Sequence, residues 1–335
     1  MKFRLLRDQW FLIGVAAVFI FALADPGGII GPLGRALTAA RANEVCLAII
    51  FVMSGLEMDF EHLREALRDG RGTALSMAFT FVVAPLLAWG LSLAASSRDL
   101  ALGMMILGVV STTQASGIVM AGAAGGRSAH ALLISVLSNA LCVFTIPFQL
   151  SWMLAGTAPD LRLPLAEMMV KLAALILLPL AAGMLIRGMR GEARSGGLSA
   201  GSRPMNADRR APFPFKPSVV SRLMIHGIIL TGLCEGRASI LGGGAQVAEA
   251  FALTLVLHLV LAGLLWRTLR ALGWGAGRRE SVFFMGIQKT LPQAIWLQAT
   301  YFASHGLALV VCLLYHVTQL VLDSWWVGLM AAKRR

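Results

Sequence analysis

Long apolar segments recur along the whole sequence and constrain its fold more than any other feature. An α-helix needs about 20 predominantly apolar residues to cross the ~30 Å hydrocarbon core of a bilayer. Hydrophobic residues make up 57% of the 335 positions and charged residues 14%. Segments close to the required length lie at 9–25, 43–57, 72–95, 100–123, 129–154, 165–187, 217–235, 246–266, 281–303 and 306–330. Because backbone polar groups cannot stay unpaired in lipid, the sequence predicts an all-α polytopic membrane protein with about ten transmembrane helices.

The distribution of basic residues predicts the orientation of these helices. A net charge of +12 would suggest a nucleic-acid partner in a soluble protein. Here Lys and Arg are concentrated in alternate connectors, namely the N-terminus, 57–72, 187–222, 267–280 and the C-terminal tail. Basic residues beside transmembrane helices mark the cytoplasmic side. We therefore expect both termini to be cytoplasmic, with the lipid bilayer as the partner of this charge and no nucleic acid.

The least apolar stretch divides the chain into two halves. Residues 190–217 are rich in Gly, Ser, Pro and Arg, a composition typical of a flexible linker. With the sixth segment assigned to the second half, residues 1–154 and 155–335 each contain five segments. Because five is an odd number, two similar halves must insert into the membrane in opposite orientations. Inverted five-helix repeats of this kind are typical of secondary transporters.

Two apolar segments are interrupted by polar residues at corresponding places in the two halves. The fourth contains STTQAS at 111–116, and the ninth contains QKTLPQ at 288–293. Pro292 lacks an N–H and clashes with the preceding turn, so it predicts a helix break. At membrane depth such a break is tolerated only inside protein or beside a wet cavity, where free carbonyls and helix ends can bind small ions. The candidate substrate- or ion-binding residues are Thr112, Thr113, Gln114, Ser116, Gln288, Lys289, Thr290 and Gln293.

Among the residues of these breaks, Lys289 has the highest free-energy cost of burial in a membrane. It follows Arg279 by about ten residues, which places it roughly 15 Å along a helix and near the bilayer midplane. A charge at that depth costs at least ~2.5 kcal/mol. Snorkelling to the surface is the structural alternative, but the side chain spans only part of the distance. We expect Lys289 to provide positive charge at a functional site, either for a substrate anion or as an exchangeable proton.

Other polar residues within the apolar segments allow two interpretations each. Ser135 and Asn139 are four residues apart on one helical face, so they can share a cation or form an interhelical contact. The Ser and Thr residues of the fourth segment can likewise bind a ligand or link packed helices. His316 and Gln319 share a face of the tenth segment. His258 interrupts the eighth segment, and a single histidine in a packed helix is more often structural than a proton relay.

The motifs of intramembrane enzymes do not occur. The sequence has no HExxH, no GxSxG and no pair of aspartates within the apolar segments. It also has no ring-forming repeat of charges typical of a channel. We therefore expect a protein that is not an enzyme and needs no cofactor, with Na⁺ or H⁺ as the coupling ion of a transport cycle.

Five sequence fragments resemble the bile acid:sodium symporter family, most closely its bacterial symporter-like branch. They are MSGLEMDF (53–60), STTQASGIVMAGAAGG (111–126), LLISVLSNALCVFTIPF (132–148), GIQKTLPQ (286–293) and LLYHVTQLVL (313–322). The resemblance implies a panel domain, 9–57 and 165–235, and a core domain, 72–154 and 246–330, in which the two broken helices cross. It implies a bacterial inner-membrane location and co-transport of Na⁺ with organic anions. By position, Thr112 to Ser116, Ser135, Asn139 and Gln288 match ion-site residues of the family.

Two residues depart from the pattern of the well-studied symporters. Phe284 stands where they carry a glutamate, and Lys289 where they carry an asparagine. These changes remove a negative charge and add a positive one. At an effective dielectric constant of ~20, an ammonium about 4 Å from a bound Na⁺ opposes it by about 4 kcal/mol. The sequence thus predicts a secondary transporter of an organic anion, bile-acid-like or a smaller carboxylate, coupled to Na⁺ or H⁺. The alternative is a non-transporting membrane regulator or scaffold derived from a transporter fold.

Overall fold

A computed structural model describes residues 10–58, 68–195 and 216–332 of the chain. Over these ranges the secondary structure is entirely helical. In chain order the α-helices are α1 (Trp10–Ala24), α2 (Ile30–Ala39), α3 (Ala42–Glu57), α4 (Gly70–Ala78), α5 (Ala84–Ser92), α6 (Arg98–Val109), α7 (Ala115–Ala123), α8 (Ser128–Thr157), α9 (Leu165–Leu172), α10 (Leu178–Ser195), α11 (Pro217–Gly242), α12 (Gly244–Ala271), α13 (Arg278–Ile287), α14 (Leu291–Tyr301) and α15 (Gly306–Ala332). A short 3₁₀ turn covers Pro26–Gly28, and π-helical turns at Phe79–Val83 and Ala173–Leu177 join α4 to α5 and α9 to α10.

Length and apolarity qualify several of these helices as membrane spans. Of the described residues, 6 continuous helices are long and apolar enough to cross a bilayer, or up to 7 if α2 and α3, which meet at an angle of 62°, form one span. Each apolar segment of the sequence coincides with a helix or with two consecutive half-helices. The expectation of ten spans in two inverted repeats stays a prediction.

Two boundaries differ from the sequence prediction. The connector between the first and second apolar segments contains helix α2, which the sequence analysis did not predict. The linker was predicted to begin at residue 190, but α10 continues to Ser195 before the chain leaves the described residues. Arg and Glu are good helix formers, so basic composition alone does not end a helix. Residues 196–215 of the predicted linker lie outside the described residues.

The π-helical turn between α4 and α5 has a local cause in Pro85. Proline has no N–H, so it cannot donate to the carbonyl of Phe81 one helical turn earlier. The Gln149 side chain of α8 donates to that oxygen instead, at 2.6 Å. In the same turn the Ala84 N–H donates to Phe79 O. The carbonyl of Thr80 therefore loses its usual partner within the helix.

The predicted breaks are present in both half-helix pairs. Residues 110–114 separate α6 from α7, and residues 288–290 separate α13 from α14. Val110 and Gln288 both adopt extended backbone angles at the ends of their helices. Pro292 lies in the first turn of α14, where its missing N–H costs little. Ser116, predicted to lie within the break, belongs to the first turn of α7.

Helix packing separates into two groups around these breaks. In one group α3 packs against α10 and α11, and α1 packs against α11. In the other, α15 packs against α6 and α12, and α13 packs against α4 and α7. Contacts of α11 with α15 and of α3 with α14 join the groups. The division into a panel domain and a core domain, and their independence as moving units, stays a prediction.

Two glycines bring α3 and α10 into backbone contact. A Cβ placed on Gly183 would lie 2.2 Å from Val52 O, and one on Gly55 would lie 2.3 Å from Leu180 O. Small residues permit such close approach in membranes, where van der Waals packing rather than water exclusion drives helix association. Gly188, farther along α10, has nothing within 4 Å of its Cβ position.

We expect Gly183→Ala to destabilise the protein and Gly188→Ala to leave its stability unchanged or raise it. The first change forces two backbones apart, at a cost of about 1–3 kcal/mol typical of overpacking. The second gains helix propensity without a clash. Thermal unfolding of the detergent-purified variants measures both effects. Equal unfolding temperatures for the two variants would contradict this packing.

Candidate functional site

The two helix breaks cross and are joined through the backbone. The Thr290 N–H donates to Ser111 O at 2.9 Å. This bond links the fourth and ninth predicted spans at the level where neither is helical. Buried side chains from α8 and α15 surround the crossing, and Gln319 of α15 pairs the backbone of Lys289.

The Lys289 ammonium points into a cluster of backbone carbonyls. Its Nζ donates to Thr80 O and Gly108 O, each at 2.8 Å, and to Val110 O at 3.0 Å. The residue is 1% exposed. Gly108 and Val110 lie at the C-terminal end of α6, where carbonyls lack helical partners and the helix dipole favours a positive charge. The side chain therefore ends inside the protein and does not reach the membrane surface.

The backbone of Lys289 is held from α15 by Gln319. The Lys289 N–H donates to Gln319 Oε1 at 3.0 Å, and Gln319 Nε2 donates to Lys289 O at 2.9 Å. His316 Nδ1 lies 3.1 Å from the same amide nitrogen. The predicted pair His316 and Gln319 thus acts on one face of α15, as its spacing indicated. Its observed role is to pair the backbone of the break.

A second network ties α8 to both breaks. Asn139 Oδ1 lies 2.7 Å from Ser111 Oγ and accepts from Gln293 Nε2 at 2.9 Å. Gln293 Oε1 accepts from the Ser111 N–H at 3.1 Å. Asn139 Nδ2 donates to Ser135 O at 2.8 Å and lies 3.4 Å from Ser135 Oγ. The predicted face of Ser135 and Asn139 is present. Asn139 makes interhelical contacts, whereas the hydrogen bonds of Ser135 stay within α8.

A buried acid lies on the other side of the crossing. Gln288 Nε2 donates to Asp323 Oδ2 at 2.7 Å, and His258 Nε2 lies 3.1 Å from Asp323 Oδ1. Both members of this pair are fully buried. Gln288 Oε1 accepts from Ser116 Oγ at 3.2 Å. The network therefore connects α7, α12 and α15 through the side chain of Gln288.

Five residues of this site escaped the sequence analysis: Thr80, Gly108, Val110, Ser111 and Asp323. The first three contribute only carbonyls, which side-chain identity cannot reveal. Ser111 was noted as part of the polar stretch but not selected. Asp323 is the one acidic residue of α15, and the cost of burying a carboxylate could have marked it as a site residue. His258 was treated as an isolated histidine, and the structure gives it an acidic partner.

A cavity opens beside the crossing, between the two helix groups. Its volume is about 190 Å³. Its wall consists of Leu47, Ile50, Phe51, Ser54, Glu57, Thr112, Thr113, Gln114, Ile118, Val119, Asn139, Ser218, Ser221, Ile225, Thr290 and Pro292. Thr112 Oγ1 and both amide atoms of Gln114 are buried without a hydrogen-bond partner. Since buried polar groups are normally paired, these unpaired atoms mark Thr112 and Gln114 as candidate ligand contacts.

The predicted site residues thus divide into two sets. Thr112, Thr113, Gln114, Asn139 and Thr290 line the cavity. The side chains of Ser116, Ser135, Gln288, Gln293 and Lys289 pair with groups behind it and do not line it. Of the two roles predicted for Lys289, direct contact with an anion has no support from its position, because its ammonium is enclosed by carbonyls.

This arrangement agrees with the comparison of the whole sequence with known families. The profile of the SBF-like CPA transporter family matches residues 9–332. The chain belongs to this family, a group of the bile acid:sodium symporters. Its members are transporters and not enzymes, and the chain is an integral multi-pass membrane protein.

Named relatives of the family align over most of the chain. The zebrafish protein named sodium/bile acid cotransporter 7 is 25% identical over 334 residues, covering 95% of this chain and 92% of its own. The mouse protein of the same name is 24% identical over 335 residues, with 95% and 91% covered. An Arabidopsis thaliana protein named probable sodium/metabolite cotransporter BASS4, chloroplastic, is 26% identical over 293 residues, with 84% and 64% covered.

We expect Asn139→Leu to destabilise the crossing. The change removes the oxygen acceptor of Gln293 Nε2 and leaves the Ser111 hydroxyl with Gln293 Oε1 alone, at a cost of about 1–3 kcal/mol. Thr145→Val on the same helix is the matched control, because the Thr145 hydroxyl has no hydrogen-bond partner to lose. Thermal unfolding should show a fall of several degrees for the first variant only. A wild-type unfolding temperature for Asn139→Leu would refute the role of this network.

Proposed function

We propose that the protein is a secondary active transporter of an organic anion that works by alternating access and is coupled to Na⁺ or H⁺. The observation that carries the proposal is the cavity between the two helix groups, bordered by both broken helices and by unpartnered polar atoms of Thr112 and Gln114. Transporters with inverted repeats bind their substrates at such breaks.

The chemistry of the cavity favours an amphipathic anion. Its wall is largely apolar on the side of Leu47, Phe51 and Ile225, while the crossing supplies amide and hydroxyl groups. At the opposite end, Glu57 interacts electrostatically with Arg187 and Arg222, two basic residues that can attract an anion. The volume of about 190 Å³ is below the ~300–1,000 Å³ of drug-sized pockets and supports a smaller carboxylate over a steroid.

The position of the cavity between two helix groups supports the proposal of alternating access. Movement of the predicted core domain against the panel domain would close this cavity and open another on the opposite side of the crossing. The cavity extends from Thr290 to Glu57 and Ser218, at helix ends that the basic residues predict to be cytoplasmic. We therefore assign this conformation to the inward-facing state of a protein of the bacterial inner membrane.

The proposal of cation coupling is supported by the names of the relatives, which are sodium cotransporters. The charged residues expected at the crossing of this chain differ from those of the well-studied symporters. Phe284, at the position of the symporter glutamate, is fully buried with its ring against Phe283. The nearest acid of the crossing network, Asp323, comes from another helix. We therefore propose either a sodium gradient or a proton gradient as the driving force.

Uptake into proteoliposomes tests the proposal. Labelled carboxylates and sulfated steroids are offered under imposed Na⁺ and H⁺ gradients. We expect Thr112→Val and Gln114→Leu to raise the KM for the transported anion by roughly tenfold or more, since a hydrogen bond to a charged group contributes about 1.5–3 kcal/mol. Their unfolding temperatures should stay at the wild-type value, because neither side-chain group has a protein partner to lose. Thr145→Val again serves as the control.

Two results would count against the proposal. Unchanged KM values in both variants would show that the cavity does not bind the substrate. Failure of every anion to be taken up, or to raise the unfolding temperature of the purified protein, would favour the alternative of a regulator or scaffold with a transporter fold.

A further inference from the structure

The surroundings of the Lys289 ammonium match its donors one for one. A protonated lysine has three N–H donors and no acceptor. Nζ has three carbonyl oxygens within 3.0 Å, from Thr80, Gly108 and Val110. A neutral amine would turn its lone pair towards one of these oxygens, an unfavourable contact. The geometry therefore suits a protonated amine better than a neutral one.

The three carbonyls are free because of the local backbone, independently of the lysine. Thr80 O has no helical donor, since the Ala84 N–H bonds Phe79 O and Pro85 has no N–H. Gly108 and Val110 lie where α6 ends. Two separate irregularities, a π-helical turn and a helix break, thus direct free oxygens to one point. Converging carbonyls at a broken helix are a means by which transporters bind monovalent cations.

We propose that this three-carbonyl cage is a monovalent-cation site that the protein fills with its own Lys289 ammonium, so that the crossing is assembled without a dissolved cation and transport does not require Na⁺. The inference rests on the proposed transport function for its last part only. The cage itself can be tested on the purified protein.

The charges around the crossing agree with a tethered cation. Gln288, next to Lys289 in the chain, donates to the buried carboxylate side chain of Asp323. Gln288 therefore lies between one basic residue, Lys289, and one acidic residue, Asp323. A Na⁺ placed beside the ammonium would meet like-charge repulsion in a medium that screens it poorly.

Thermal unfolding in different chloride salts of equal ionic strength provides the first test. Wild-type protein should unfold at the same temperature in Na⁺, K⁺, NH₄⁺ and N-methylglucamine. Lys289→Ala should unfold about 5 °C or more lower in N-methylglucamine, because three buried carbonyls lose their partner. NH₄⁺ and K⁺, which are similar in size and larger than Na⁺, should restore part of this loss. A small alkylammonium ion that replaces the missing side chain should do the same.

The matched control is Lys171→Ala. Lys171 is 45% exposed and forms an ion pair with Glu167 within α9, at 2.6 Å. This variant should respond to no cation. The cage is refuted if Lys289→Ala shows no stabilisation by small cations over N-methylglucamine, or if Na⁺ stabilises the wild-type protein. If Lys289→Ala does not fold, Lys289→Met, which fills most of the same space without a charge, replaces it in the same series. The wild-type comparison decides the second criterion in either case.

A transport assay provides the second test, and its outcome is independent of the outcome of the first. Wild-type uptake of the identified anion should have the same initial rate in Na⁺ and in N-methylglucamine, and Lys289→Ala should lose at least tenfold of that rate. A wild-type rate that depends on Na⁺ would overturn the inference. If no anion is transported at all, the proposed function fails, while the salt dependence of unfolding still decides whether the cage is a cation site.

Discussion

Pairing of backbone groups at the crossing of two broken helices is the constraint on which the rest of the structure depends. A helix that stops inside a membrane protein exposes carbonyl and N–H groups that lipid cannot satisfy. Here the Thr290 N–H bonds Ser111 O directly, and Gln319 pairs both backbone groups of Lys289. The positions of Asn139 on α8 and Gln319 on α15 are thereby explained. They hold two irregular segments in one arrangement beside a cavity.

The electrostatics of the crossing distinguish this protein from the symporters that its sequence resembles. The resemblance implies that the break, the glutamine and the polar face of α8 are shared with them. The carboxylate expected on the ninth span is replaced by Phe284, and a positive charge is added by Lys289. In the structure, the Lys289 ammonium donates hydrogen bonds to backbone carbonyls, and α15 contributes the acidic residue Asp323. The same architecture thus carries a different distribution of charge, and this difference bears on the coupling ion more than on the fold.

Sequence patterns predicted some features well because their causes are local. The lengths of the apolar segments predicted the helices, and Pro292 together with the polar stretch predicted the break before α14. Spacing of three or four residues correctly placed Gln319 with His316, and Asn139 with Ser135. Helix α2, the extension of α10 to Ser195 and the role of Asp323 were not predicted. The first two depend on packing and helix propensity in polar sequence, and the third on which helix faces Gln288.

The sequence by itself determined that the chain is a helical membrane protein with two interrupted helices, because hydrocarbon permits few backbone structures and leaves their signature in composition. It also determined that Lys289 lies deep in the protein. Only the tertiary structure decided what the lysine contacts. Its partners are carbonyls of Thr80, Gly108 and Val110, released by a π-helical turn and a helix end from distant parts of the chain. Backbone oxygens are the same in every residue, so no side-chain pattern could have identified them.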